Sequence, residues 1–152
     1  MSREVVIIEA VRTPVGRRNG QLSRIHALEL ASIPMRAIFE LTGLDPQIVD
    51  QVLWGCVTQA GEQSTNIGRQ AWLHAGLPIE VAATTIDNQC GSSQETVNLA
   101  YGMIAGGLAD VMLVGGVESM SRVPMFSNMK NGPGSPYSPE FLDRYPVTHQ
   151  GD

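Results

Sequence analysis

The 152-residue chain has two cysteines, Cys56 and Cys90, and they sit in contrasting settings. Cys90 lies in Asp87-Asn88-Gln89-Cys90-Gly91-Ser92-Ser93, where a β-rich run ends and a helix-like run begins. At such a junction the free N–H groups and the dipole of a helix N-terminus favour a thiolate. The small residues that follow leave room for an incoming carbonyl. The backbone N–H of Cys90 is itself a candidate oxyanion donor. Against this stands the ordinary fate of a free thiol, to be packed as a small inert hydrophobe, and position alone leaves both open. Cys56 stands between Gly55 and Val57 inside an apolar run, where a core thiol is expected. The spacing of the two is unlike a C-x-x-C redox pair, and two thiols build neither a disulfide framework nor a zinc site of three or four thiolates.

The three histidines, His26, His74 and His149, form no metal-ligand spacing. His26 and His74 fall on predicted helices as surface or packing residues. His149 lies in a loop-like terminal segment and would serve Cys90 as a base only if the fold returned it within hydrogen-bond reach. Glu118, in Gly115-Gly116-Val117-Glu118-Ser119-Met120-Ser121, is either an acid–base group or a carboxylate accepting from backbone amides. The second is the expectation, because buried polar groups must find partners. Arg12 and Arg69 are candidate partners for such carboxylates. Gly115 and Gly116 permit close backbone approach or positive φ. The glycine-rich nucleotide fingerprints are absent. Lys130 to Pro136 reads as a turn-rich loop, either a lid or plain surface.

These residues need a scaffold, and the composition provides for one: hydrophobic residues make up 43% and charged residues 16%, enough for a packed core. Ten Lys+Arg against fifteen Asp+Glu give a net charge of -5, which argues against nonspecific nucleic-acid binding. No apolar stretch approaches the length of a membrane span. The first apolar run is too short for a signal peptide, so the expected compartment is reducing cytoplasm.

Val5 to Ile8 is continuously apolar, as in a strand buried on both faces. Ile25, Leu28, Ala31, Met35 and Ile38 recur at helical spacing, with Pro34 expected to kink or break the helix and Gly43 to end it. Asp45-Pro46 reads as an N-cap and first-turn proline opening a single turn. Val52 to Val57 is a second strand. Asn66 caps a helix running through Ala71 and Leu73 and closed by Gly76 and Pro78. Val81 to Ile86 is a third strand. Val97, Ala100, Met103 and Ile104 form the apolar face of the next helix, which Gly106-Gly107 ends, and Val111 to Val114 is a fourth buried strand. The alternation predicts an α/β domain with helices covering a mixed or largely parallel sheet. From Arg122 to Asp152 there are five prolines and three glycines, and periodicity fades into an excursion.

Several segments together resemble the N-terminal part of a thiolase, an acyl-CoA acyltransferase of the degradative kind. They are Arg12-Thr13-Pro14-Val15-Gly16 with Gly20; Gly55 to Gly61 followed by Asn66 and Arg69; Ala75-Gly76-Leu77-Pro78; Asn88-Gln89-Cys90-Gly91-Ser92; and Gly115 to Ser121. The five blocks stand in the family's order across nearly the whole chain. Their details lean toward lipid- or steroid-degrading thiolases.

The resemblance implies a thiolase-like half-core over residues 1–121, and over 122–152 the opening of the family's loop domain, which helps cover coenzyme A. It implies that Cys90 takes the acyl group from a 3-oxoacyl-CoA, or runs the reverse condensation. Coenzyme A is then a co-substrate, with no bound cofactor and no metal. It also implies a homo-oligomer, or a second chain supplying the C-terminal half. In the family that half brings an activating histidine, a second cysteine and an Asn/His pair, so the 152 residues alone are expected to be inactive and poorly soluble. Ser93 stands where the family usually has glycine, and Glu95-Thr96 replace small or amide residues, which narrows the space at the helix start. A β-ketoacyl-synthase-like enzyme and a non-catalytic binding or assembly subunit are the alternatives; carrier-protein dependence would mark the first, acyl-CoA binding without turnover the second.

Overall fold

The computed structural model describes residues 3–130 and 132–146. Three of the four predicted strands form one sheet: β1 (Gln51–Gly55), β2 (Ala82–Ile86) and β3 (Met112–Gly116). Their order is β2-β1-β3, and both pairings are parallel. Parallel neighbours need crossover helices, supplied by α2 (Ile67–His74) between β1 and β2 and α3 (Ser92–Ala105) between β2 and β3. α1 (Ala27–Thr42) precedes β1 and packs on α2. The short helices α4 (Ser127–Lys130) and α5 (Pro139–Arg144) follow the sheet.

Successive strand residues point to opposite faces, and that alternation separates the helical layers. A Cβ on Gly68 of α2 would meet the Trp54 side chain, whereas one on Gly55 would meet the backbone of Ser92 and Ser93 in α3. α1 and α2 therefore cover one face and α3 the other. The main core lies on the first side, where Val52, Trp54 and Leu113 of the sheet meet Met35, Ile67, Ala71 and Trp72. β1 lies between two neighbours, and four of its five residues are buried, which is why it reads as an unbroken apolar run.

Two expectations fail here. Val5 to Ile8 joins no strand, and Val6, Ile7 and Ile8 are 66%, 79% and 64% exposed. An apolar run becomes a strand only when a ladder partner meets its N–H and C=O groups. This one passes beside β3, with a slot of about 380 Å³ between the two, and is tied at its start by the Arg3–Asp110 ion pair. Second, of the kink or break expected at Pro34, the break does not occur: α1 runs through it as one helix. Burial of Ala27, Ala31, Ser32 and Met35 along a single stripe outweighs the missing N–H, as tertiary packing often does. The other boundaries follow the sequence signals. Gly43 ends α1 at φ 69°, and Asp45 caps the turn at Pro46 by accepting from the Gln47 N–H at 2.9 Å.

The segment after β3 is anchored back to the start of α1. The Arg122 guanidinium forks onto the Glu62 carboxylate and donates to the Ser23 carbonyl at 3.1 Å. Glu62 also accepts from the Ala27 N–H at 3.3 Å. The Arg122 hydrogen bond holds the Glu62 carboxyl near 2, below its ordinary 4.5. A depressed folded pKa gives stability that is present above about 4.5 and fades as pH falls toward 2. Glu62→Gln is expected to flatten that part of the stability–pH curve, read by urea unfolding at steps between those values; an unchanged curve would exclude the anchor.

Candidate active site

The C-terminal ends of the three strands, with the loops that leave them, bring Cys56, Glu118 and the Cys90 turn to one edge of the sheet. What lets α3 start there is glycine. In register, Gly55 of β1 faces Gly116 of β3. A Cβ on Gly55 would stand 2.6 Å from the Ser92 carbonyl carbon and the Ser93 nitrogen, and one on Gly116 would stand 2.0 Å from the Ser93 hydroxyl. Any side chain at either position would push the helix off the sheet. Close backbone approach is thus the role of Gly116, and neither it nor Gly115 has positive φ.

Between β2 and α3 the chain turns tightly. Gln89 adopts φ 49°, and its N–H donates to Asp87 Oδ1 at 2.9 Å. The Gly91 and Ser92 N–H groups donate to the carbonyls of Asn88 and Gln89, at 3.1 and 3.0 Å. Gly91 occupies the N-cap of α3 without a side chain to cap it. Cys90 sits on this turn, exposed, one residue before the N-cap. The structure thus places Cys90 where the sequence puts it, as an accessible thiol at a strand-to-helix junction.

Cys56 is 1% exposed and belongs to the core. Burial pushes its thiol up to about 12, and the Glu118 and Asp87 charges and a hydrogen bond to Glu118 add to the effect. It is held neutral, as the expected core thiol.

Glu118 is the carboxylate of this edge, and it accepts hydrogen bonds as the sequence suggested. Its Oε2 takes the Val57 N–H at 2.8 Å, and its Oε1 takes the Thr58 N–H at 3.3 Å and the Gln63 amide at 2.8 Å. Gln63, fully buried, also donates to the Thr58 carbonyl at 2.8 Å and accepts from the Ser119 N–H at 2.7 Å. The pair ties the loop after β1 to the loop after β3. Gln63 drew no attention in the sequence, where it is one glutamine in a polar stretch. The only signal was that Glu118 needed donors.

The arginine expectations are corrected. Arg69 donates to the carbonyls of Ile79 and Val81, and Arg12 to the Thr13 carbonyl at 3.1 Å, so neither meets a carboxylate among the described residues. Arg69 reaches the loop that leaves α2 and Arg12 its own neighbour, and the arginine–carboxylate pairs among the described residues are Arg3–Asp110 and Arg122–Glu62. His26 caps α1, its Nδ1 accepting from the Leu28 N–H at 3.2 Å, and lies 3.7 Å from Glu62. His74 ends α2, exposed. His149 lies outside the described residues. Among the described residues no three His, Cys, Asp or Glu side chains gather as a metal site, and no helix is long and apolar enough to cross a membrane.

Relatives of this chain have known names. The steroid 3-ketoacyl-CoA thiolase of Mycobacterium tuberculosis is 45% identical over 129 residues, 85% of this chain and 32% of that protein. The beta-ketoadipyl-CoA thiolase of Pseudomonas aeruginosa is 46% identical over 125 residues, 82% of this chain and 31% of the relative. The crystal structure of the Bacillus anthracis acetyl-CoA acetyltransferase superposes with a TM-score of 0.70 at 35% identity, covering 75% of this chain and 29% of that one. The chain thus spans about a third of the length of the curated relatives it matches. With residues 5–144 matching the family's N-terminal domain, the chain belongs to the thiolase family.

Proposed function

We propose that this chain carries the acyl-accepting cysteine of a thiolase-type acyltransferase, and that Cys90 is that residue. The observation that carries the proposal is the exposed Cys90 thiol on the turn into α3, within a matched thiolase N-terminal domain. The Cys90 thiolate attacks the 3-keto carbon of a 3-oxoacyl-CoA. Collapse of the tetrahedral adduct breaks the bond between C2 and C3. Acetyl-CoA leaves as its enolate and takes up a proton, and the shortened acyl group stays on sulfur as a thioester. Free coenzyme A then attacks that thioester, and the Cys90 thiol is restored. The base, the proton donor and the enolate-stabilising groups come from thiolase sequence beyond these residues or from a second chain, and residues 122–152 begin the cover over coenzyme A. Names among the relatives, steroid 3-ketoacyl-CoA and beta-ketoadipyl-CoA thiolases, favour a 3-oxoacyl-CoA from catabolism as substrate over a biosynthetic carrier-protein thioester.

The test starts from the tagged protein isolated from its native cells together with whatever it binds. Exposed to a 3-oxoacyl-CoA and quenched in acid, it is expected to show the acyl mass on the Cys90 peptide. Cys90→Ser is expected to remove the adduct and to lower thiolysis by about 10³-fold or more, since groups acting as a unit fail together. An adduct on another residue, or turnover that survives Cys90→Ser, would overturn the assignment.

A further inference from the structure

We infer that Ser92 is a positioning residue for Cys90: its hydroxyl clamps the turn that presents the thiol. The inference rests on the reading of Cys90 as the acyl acceptor and concerns a residue that makes no claim on substrate. Gln89, immediately before Cys90, has φ 49°, a left-handed conformation that L side chains adopt at a cost. Something must hold it there. The Ser92 Oγ accepts from the Asn88 N–H at 2.9 Å and donates to the Gln89 carbonyl at 2.6 Å. One hydroxyl therefore bonds to the N–H of the residue before the strained one and to the carbonyl of the strained residue itself, bracketing its backbone.

Ser92 is 4% exposed, so water cannot readily replace it. Its own backbone is fixed from below, because it rests against Gly55, where a Cβ would stand 2.6 Å from its carbonyl carbon. The sheet thus sets Ser92, Ser92 sets Asn88 and Gln89, and those set the direction of Cys90. The stripe that buries α3 starts at this residue and continues through Thr96 and Ala100. Thr96 Oγ1 bonds to the Ser93 carbonyl at 2.7 Å and reaches that of Gly115 at 3.4 Å, which holds the helix start on the sheet as a second hydroxyl.

The experiment measures the iodoacetamide alkylation rate of Cys90 against pH in the full chain, by peptide mass spectrometry. Buried Cys56 serves as an internal monitor of folding. Ser92→Ala is expected to lower the Cys90 rate by about tenfold and to change its pH profile, with Cys56 still protected; Ser92→Thr, which keeps the hydroxyl, is expected to restore both. A Ser92→Ala rate and profile matching the parent, with Cys56 protected, would overturn the inference. Should Ser92→Ala expose Cys56, the decision passes to amide hydrogen exchange in the unaltered chain. The Asn88 N–H, held by Ser92 Oγ, is expected to be protected, and exchange at the rate of an open amide would overturn the clamp. Failure of acyl transfer to Cys90 with a working clamp would sink the functional reading alone; acylated Cys90 that ignores Ser92→Ala would sink this inference alone.

Discussion

Trp72→Ala is expected to lower stability by about 3–5 kcal/mol, the range for truncating a large buried aromatic. Trp72 is fully buried. Its ring meets Phe39 edge-on, with centroids 5.8 Å apart and planes at 81°, and joins α1 to α2 above the sheet. Its Nε1 donates to the Pro78 carbonyl at 2.6 Å, so the variant also leaves that acceptor without its donor. For a domain with a total of about 5–15 kcal/mol, this is a large share of what holds it folded. Trp72→Phe keeps most of the packing and loses the hydrogen bond, so it is expected to recover more than half. Urea unfolding followed by the fluorescence of Trp54, the one tryptophan left in either variant, reads both. A Trp72→Ala shift under about 1 kcal/mol would contradict the packing described.

Glu118→Ala is expected to be the most damaging change at the candidate site. It leaves three donors, the N–H groups of Val57 and Thr58 and the Gln63 amide, without their acceptor. Buried donors left unsatisfied cost about 1–3 kcal/mol each, and because the three share one network they are expected to sum to roughly 3 kcal/mol. A second readout separates this from a general loss of packing. The Glu118 charge, after burial itself, helps hold the Cys56 thiol at about 12 against an ordinary 9.0. The folded state keeps that thiol protonated where the unfolded chain releases it, so stability falls as pH rises from about 9 toward 12. Without Glu118 the folded value drops and the window narrows. Native-state alkylation of Cys56 near the lower end of that window is expected to be faster in Glu118→Ala. Equal Cys56 reactivity in the two proteins would show that the carboxylate does not act on it.

Much of the scaffold was legible because its signals are local. Gly43, Asp45-Pro46 and Asn66 each act through the two or three residues next to them, and each does what its chemistry suggests. Cys90 before a helix start was legible for the same reason. Val5 to Ile8 was not, because strand status belongs to a pair and not to a run, and no neighbour among the described residues ladders with it. The buried face of α3 was legible only in part. Of its expected apolar face Ala100 is buried and Met103 and Ile104 are half-buried, but Val97 is 37% exposed, and the buried stripe is Ser92, Thr96 and Ala100. Small and hydroxylic residues fit where Gly55 and Gly116 bring backbone against backbone, a demand set by residues far away in sequence. Gln63 and Ser92 were missed because an uncharged polar residue gives no sign of being a hub until its partners are located. Pro34 shows the opposite error, a strong local rule overruled by a buried stripe.

The central position of β1 has a consequence for the order of assembly. β1 meets β2 across one crossover, but meets β3 only across a stretch of chain about twice as long. Loop closure itself separates these steps little, by about 0.6 kcal/mol per doubling of length. What separates them is that β1, α2 and β2 already share contacts of their own, including the Asn66 cap bonded to the Ala83 carbonyl and the Thr85 hydroxyl. That unit can form first, with Trp54 seated on Gly68. The turn bearing Cys90 belongs to the later step, because Ser92 and Ser93 settle only on the paired glycines of β1 and β3. On that order Cys90 reaches its final surroundings last, after the strand pairing that supports its turn is complete.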